Sequence, residues 1–227
     1  MINTPLHIAI IMDGNRRWAK KNKLPIIMGH RRAAFETLEK IIDSAISLNI
    51  KYLTFWAFST ENWNRNKNEV SGLLNLFREI LGDNINKLHN KGVKILTIGD
   101  LSKFPEDIQS KLHLAEEKTK NNKNLTAVLA LNYGGRDEII RAIKKLSPKE
   151  IKNITEDSFS KALDTKNIPD PELLIRPGGE VRLSGFLPWQ TEYTEFYFSE
   201  TLWPDFTEKD LKDAITEYQS RQRRFGR

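Results

Sequence analysis

At 227 residues, with 39% hydrophobic and 29% charged side chains, the chain has the composition of a soluble globular protein and the length of one α/β domain covering residues 1–227. It has no cysteine, which excludes disulfide scaffolds, thiolate metal sites and cysteine nucleophiles, and its four histidines, His7, His30, His89 and His113, show no zinc-binding spacing. A net charge of +6 favours anionic partners, while the lack of a signal-peptide pattern or of an apolar run near 20 residues sets the expectation of a cytoplasmic protein.

The chain opens on an apolar run at residues 7–12. Helical spacing follows over 33–48, where Ala34, Leu38, Ile41, Ile42, Ala45 and Leu48 form one stripe. A second apolar run at 52–58 leads to a long amphipathic helix over 69–89, whose stripe runs from Val70, Leu73, Leu74 and Phe77 to Leu88. A strand is expected at 93–98, and a helix at 105–121 that begins with proline followed by acids. A strand at 125–131 runs directly into a helix at 135–146. Residues 147–171 are polar and hold three prolines, which reads as a surface excursion with one helix over 157–163. Short strands at 173–175 and 196–198 follow. Continuous apolar strands alternating with helices predict an α/β fold, with a mostly parallel central sheet flanked by helices.

Polar residues gather where these strands end, and in parallel sheets ligands bind beyond the carboxyl ends. The first strand runs into Asp13, Gly14, Asn15, Arg16, Arg17 and Trp18. A carboxylate beside two guanidinium groups suits a hard cation bridged to phosphate, and Gly14 lets backbone N–H groups come close; the run reads equally as a turn into a basic, solvated helix start. The second strand leads to Ser59, Asn62, Trp63 and Arg65, where Trp63 is either a cover for an apolar substrate tail or a core aromatic; Trp56, inside the strand, reads as core. Around Gly178 and Gly179, Arg176 and Arg182 can converge on one diphosphate, with the Ser184 hydroxyl as a further donor. Glu195, among aromatics, is either a second metal-site acid or a surface acid. No phosphate loop, dinucleotide fingerprint, nucleophile elbow or DDxxD box is present.

In their order, MDGNRRWAK at 12–20, GHRRA at 29–33, FSTENWNR at 58–65, EVSGLLNLF at 69–77, NYGGRDEI at 132–139, IRPGGEVRLSGFLPWQ at 175–190, EFYF at 195–198, LWPDF at 202–206 and RQRRFG at 221–226 resemble the cis-prenyltransferase family, which includes bacterial undecaprenyl diphosphate synthases. The resemblance implies an α/β fold with a hydrophobic tunnel, usually a homodimer. It implies an enzyme that condenses isopentenyl diphosphate with an allylic diphosphate such as farnesyl diphosphate, giving a cis-polyprenyl diphosphate such as undecaprenyl diphosphate for cell-wall biogenesis. By the same resemblance, Asp13 binds Mg2+ and is essential for turnover, and Glu195 is the second acid of the metal. Gly14, Asn15, Arg16, Arg17 and His30 match the allylic diphosphate site, and the resemblance counts His30, with Asp13 and Asn62, among the catalytic residues. Arg176, Arg182 and Ser184 match the isopentenyl diphosphate pocket, which Arg224 and Gly226 reach from the partner subunit. Ser59, Asn62, Trp63, Arg65 and Glu69 fall in a mobile loop where Asn62 assists proton removal, and Trp18, Thr60, Glu61 and Leu183 complete the implied substrate contacts. Leu73, Leu74, Leu76, Phe77, Ile80, Leu81 and the strand at 125–131 are the implied tunnel.

The chain departs from the family pattern at Ile26, where many members carry an arginine, at Pro177 in place of Thr, and at Gly185 and Pro188 in place of Asn and Leu. A catalytically silent relative would lack Asp13 or the C-terminal RxG element, and both are present. The 36 Lys and Arg are spread along the chain and offset by 30 acids, which argues against a nucleic-acid partner. Peripheral membrane contact, for release of a lipid product, is compatible with the basic charge.

Overall fold

The computed structural model describes residues 4–221. All six expected strands form: β1 (His7–Ile11), β2 (Tyr52–Ser59), β3 (Val93–Ile98), β4 (Leu125–Tyr133), β5 (Leu173–Pro177) and β6 (Glu195–Ser199). They make one sheet in the order β3-β4-β2-β1-β5-β6, and every neighbouring pair is parallel. The sheet needs cover on both faces, and β1 shows why. Ile8 and Ile10 pack into a core with Ile41, Ile42 and Leu211, whereas Ala9 and Ile11 face a second core with Val128, Leu174 and Phe186.

The helices are α1 (Asn15–Lys21), α2 (Ile26–Arg32), α3 (Leu38–Ser47), α4 (Lys67–Asn90), α5 (Glu106–Thr119), α6 (Gly135–Lys145), α7 (Pro148–Lys152), α8 (Glu156–Ser160) and α9 (Glu208–Ser220). The helix expected at 33–48 starts earlier, behind Pro25. A five-residue π segment, Ala33–Thr37, joins α2 to α3 as one continuous rod. The excursion at 147–171 holds two short helices instead of one, each opened by a reciprocal cap, Ser147 with Glu150 and Thr155 with Ser158. Helix α9 was not expected. Its Thr207–Asp210 cap and the buried stripe Leu211, Ala214, Ile215 and Tyr218 explain it.

The loop at 178–190 is fixed against the start of α6. The Gly135 N–H donates to the Gly185 carbonyl at 2.9 Å, and buried Glu138 accepts from the Tyr133 hydroxyl at 2.7 Å and from Gln190 Nε2 at 3.0 Å. Burial pushes the Glu138 carboxyl above its ordinary range, and these donors oppose the shift. The departures from the family pattern fit locally. Gly185 has φ +85, a left-handed conformation that glycine tolerates, and the Pro188 ring packs where a side chain at position 135 would otherwise stand.

Candidate active site

Asp13 follows the carboxyl end of β1, with its backbone carbonyl accepting from the Trp203 N–H at 2.9 Å. Gly14 next to it has φ +108, and a Cβ there would meet Leu202 at 2.9 Å. The chain can therefore turn into α1 here only with glycine. Arg176, which is 4% exposed in β5, places Nη2 2.9 Å from Asp13 Oδ2. Its Nη1 donates to the Arg182 carbonyl and to Ser184 Oγ, the latter at 3.0 Å. On the other side, Arg17 Nη2 stands 3.2 Å from Asp13 Oδ1 while Nη1 donates to the Gly178 carbonyl at 2.5 Å. One carboxylate is thus held between guanidinium groups from α1 and β5.

The bend after β5 is fixed by backbone bonds. The N–H groups of Gly178 and Gly179 donate to Thr201 and Ser199 carbonyls at 2.8 Å each, and both glycines have positive φ. Arg182 turns out to Glu180, with a side chain 59% exposed.

A second cationic cluster forms across α1, α2 and the β2–α4 connection. Glu69 pairs with Arg65 at 3.0 Å and Arg16 at 3.7 Å. Beside them His30 keeps a buried Nε2 with no hydrogen-bond partner. Burial first, then the charges of Arg65 and Arg16, lower its pKa to about 4, so the imidazole is neutral at physiological pH. Asn62 is held in a reciprocal cap in which its Oδ1 accepts from the Ser59 N–H at 3.1 Å. Asn15 Nδ2 donates to the Met12 carbonyl at 3.0 Å and leaves a buried Oδ1 without a partner.

Beside these groups opens a cavity of about 430 Å3, which Arg16, Arg17 and Glu69 do not line. Asp13, His30, Asn62, Arg65, Arg176 and Arg182 line its mouth, together with Asn15, Ser59, Glu61 and Ser184. Deeper in, the walls are Leu73, Leu76, Phe77, Ile80 and Leu81 of α4 against Ala127, Leu129 and Leu131 of β4. Leu74, expected in the tunnel, does not line the cavity but packs against the same apolar cluster as Leu73, Leu81 and Leu131. A polar mouth on an apolar shaft accepts an amphiphile with an anionic head.

Some expected site residues lie elsewhere. Trp18 is buried, with Nε1 donating to Asp205 at 2.8 Å and Arg32 over its ring. Trp63 donates to Asn132 Oδ1 at 2.8 Å and packs edge-on against Phe58 and Phe104. Leu183 packs into the core behind the sheet, and Thr60 abuts Gly134. Gly14 and Arg17 flank Asp13 without lining the cavity. Glu195 does not meet Asp13 within the chain. It opens β6 opposite Leu173, which pairs with Ile8, so it stands at the amino end of the sheet while Asp13 follows the carboxyl end. Its carboxylate accepts from Arg221 at 2.7 Å. Among the described residues no group of three or more His, Asp or Glu gathers as a metal site. Arg224 and Gly226 lie outside the described residues. Trp203 of the LWPDF block also lines the cavity and anchors Asp13 through its backbone, a role for which the block is the one signal in the sequence.

A family profile described as "Putative undecaprenyl diphosphate synthase" matches residues 11–226. An isoprenyl transferase of Clostridium perfringens is 52% identical over 98% of this chain and 90% of its own length, and one of Aquifex pyrophilus is 48% identical over 100% and 97%. Among solved structures, lavandulyl diphosphate synthase from Lavandula x intermedia, in complex with dimethylallyl diphosphate, superposes with a TM-score of 0.94 at 40% identity, covering 99% of each chain. A "probable undecaprenyl diphosphate synthase" from Campylobacter jejuni gives 0.83 at 37%, covering 99% of this chain and 100% of that one. With matches of this length and identity, the chain belongs to the undecaprenyl diphosphate synthase family of isoprenyl transferases.

Proposed function

We propose that the protein lengthens an allylic diphosphate, with farnesyl diphosphate as primer, by repeated condensation with isopentenyl diphosphate to a cis-polyprenyl diphosphate such as undecaprenyl diphosphate. The observation that carries this reading is the clamped Asp13 carboxylate, with Arg17 and Arg176 on either side, at the mouth of a shaft walled by Leu73, Phe77 and Leu129. In each cycle the allylic C1–O bond breaks and diphosphate leaves with the electron pair. C4 of isopentenyl diphosphate bonds to C1, and a proton is lost from C2. Arg16, Arg65, Arg176 and Arg182 neutralise charge on the two diphosphates, most strongly where charge builds on the leaving group. Buried neutral His30 and capped Asn62 add fixed polar groups without adding negative charge.

Mg2+ fits the donor set, because Asp13 offers hard carboxylate oxygens beside guanidinium groups suited to diphosphate, the usual way this ion is shared between protein and phosphate. When bound, it would supply further neutralisation of the departing diphosphate. Asp13 would hold it. Glu195 could join only through a second subunit, in keeping with a homodimer in which Arg224 and Gly226 complete the partner's pocket. We place the enzyme in the cytoplasm, loosely in touch with the membrane that receives its product. No helix among the described residues is long and apolar enough to cross a membrane.

The test is incorporation of radiolabelled isopentenyl diphosphate with dimethylallyl, geranyl and farnesyl diphosphates as primers, with and without EDTA, and chromatography of the products. Metal-dependent elongation, best with farnesyl diphosphate, is expected. Purified protein that incorporates none of the label on any primer would refute the reading and leave a silent isoprenoid-binding relative.

A further inference from the structure

Residues 14–35 hold seven Lys and Arg and no Asp or Glu. They form α1, the turn after it and α2, and Asn15 and His30 of this segment line the mouth of the cavity. Its four arginines are answered by acids outside the segment: Arg16 by Glu69, Arg17 by Asp13, Arg31 by Glu79 and Arg32 by Asp205. Lys20, Lys21 and Lys23 form no ion pair among the described residues, and residues 20–25 are exposed throughout. They lie at the far end of α1, seven residues long and so about 10 Å from the mouth. There the chain reverses in a Schellman turn, with the Leu24 N–H donating to the Ala19 carbonyl at 2.9 Å and the Lys23 N–H to the Lys20 carbonyl at 3.1 Å. Lys23 has φ +57 at the position that such turns usually give to glycine, so backbone strain is borne to keep a lysine there. Beside the lysines, Leu24 is 41% and Met28 39% exposed.

We infer that this tip, residues 20–28, docks the protein on an anionic lipid bilayer and so holds the mouth of the cavity close to the membrane surface. Its use in handing over a lipid product rests on the elongation reading above; its affinity for lipid does not. Unpaired ammonium groups gain from a surface of phosphate headgroups, while Leu24 and Met28 leave water for the interface. Lysine suits that border, since its apolar stem lies along lipid while the ammonium group stays among headgroups. A protein partner fits less well, because six exposed residues on one turn fall far short of the roughly 800 Å2 that a stable protein interface takes from each side. Ile151 and Ile154 are also exposed, but their segment carries Glu150, Glu156 and Asp157, acids that an anionic surface repels.

The probes are vesicles of phosphatidylcholine alone and of phosphatidylcholine with about one-third phosphatidylglycerol, sedimented with the full chain. The wild type should bind the anionic vesicles at least about tenfold more tightly, and should lose most of that advantage when salt rises from about 0.05 to 0.5 M. Replacing all three lysines, as Lys20→Gln, Lys21→Gln and Lys23→Gly, should weaken binding to anionic vesicles roughly a hundredfold, with the rate of the first condensation within about threefold of the wild type. Lys23→Gly alone should weaken it about fivefold while raising the thermal midpoint, because glycine relieves the left-handed strain; a purely structural lysine would move the midpoint only. Leu24→Gln with Met28→Gln should weaken binding to both kinds of vesicle about tenfold. A triple variant that binds anionic vesicles as the wild type does, or a wild type indifferent to vesicle charge, would overturn the inference. So would a loss of binding on Lys149→Gln with Lys152→Gln in α7 that equals the loss in the triple variant. A wild type that sediments with anionic vesicles through the tip but incorporates no label would bring down the proposed function and leave the docking surface standing.

Discussion

Arg176 and Asp13, 163 residues apart in sequence, meet through Nη2 and Oδ2 at 2.9 Å across the junction of β1 and β5. The guanidinium is almost fully buried, and the same group fixes Ser184 and the Arg182 carbonyl. A single side chain therefore couples the acid at the mouth to the loop expected to hold isopentenyl diphosphate.

Replacing Asp13 by Ala removes the carboxylate that faces both guanidinium groups and the proposed metal. Turnover should fall by about a thousandfold, the scale of losing a principal electrostatic stabiliser. Radiolabel incorporation measures this, and an unchanged far-UV circular dichroism spectrum would show that the fold survives. Activity near that of the wild type would refute the assigned role.

Arg176→Lys keeps a positive charge but loses the planar fork, so one ammonium group cannot serve Asp13, Ser184 and the Arg182 carbonyl together. The expected cost is about 2 kcal/mol in kcat/KM for isopentenyl diphosphate, near thirtyfold, carried mainly by KM. Steady-state kinetics in the concentration of each diphosphate would show whether the loss falls on that substrate rather than on the primer.

His7 and His30 are both held near pKa 4, chiefly by burial. Nδ1 of His7 stands 2.6 Å from the Pro169 carbonyl, which can only accept, so Nδ1 carries the proton and Nε2 accepts from Thr54. In the unfolded chain both titrate near 6.5. Between pH 6.5 and 4 the unfolded state therefore binds more protons, and stability declines as pH falls through that window. Each histidine should cost about 2 kcal/mol on going from neutral pH to pH 5. Denaturant melts at pH 7 and pH 5 check this, and His7→Gln should make the decline less steep.

Gly29 of α2 lies against α1, and a Cβ at that position would stand 2.1 Å from the Asn15 carbonyl oxygen. Gly29→Ala should force the two helices apart, destabilising the protein by about 1–3 kcal/mol and displacing Asn15 from the mouth and Arg16 from Glu69. A lower thermal midpoint together with a raised KM for the allylic diphosphate is expected. An alanine variant indistinguishable from the wild type in both measurements would show that α1 yields without moving the site.

The strands were legible because buried parallel strands are continuous apolar runs, and the clusters at their ends showed which edge of the sheet carries chemistry. The orientation of individual side chains was not legible. The spacing around Trp63 located a loop but could not show that its ring turns inward to Phe58 and Phe104. Glu195 was legible as the residue just ahead of the strand at 196–198, which in a parallel sheet is the edge away from Asp13; only the pairing of β6 with β5 in the same direction, seen in the register Leu173 to Glu195, turns that into a separation of the two acids within the chain. Helix α9 escaped because its apolar stripe is short and its cap is an Asp rather than a Glu. Lys91 Nζ donates to Glu39 and Asp43, 52 and 48 positions away, a pairing that only the packing of α3 on α4 creates.

The π segment at Ala33–Thr37 works like a washer under a screw head. Each residue of a helix turns the rod by about 100°, so the wide turn fixes which flank of α3 faces the shaft. Rewinding it as ordinary α-helix at constant length would swing Leu38, Glu39 and Ile42 by about 100° away from the shaft without altering any of them, whereas deleting one residue from the wide turn would leave their facing unchanged. Helical phase, and not only the identity of the lining residues, is thus a variable through which this scaffold could be retuned to a different lipid.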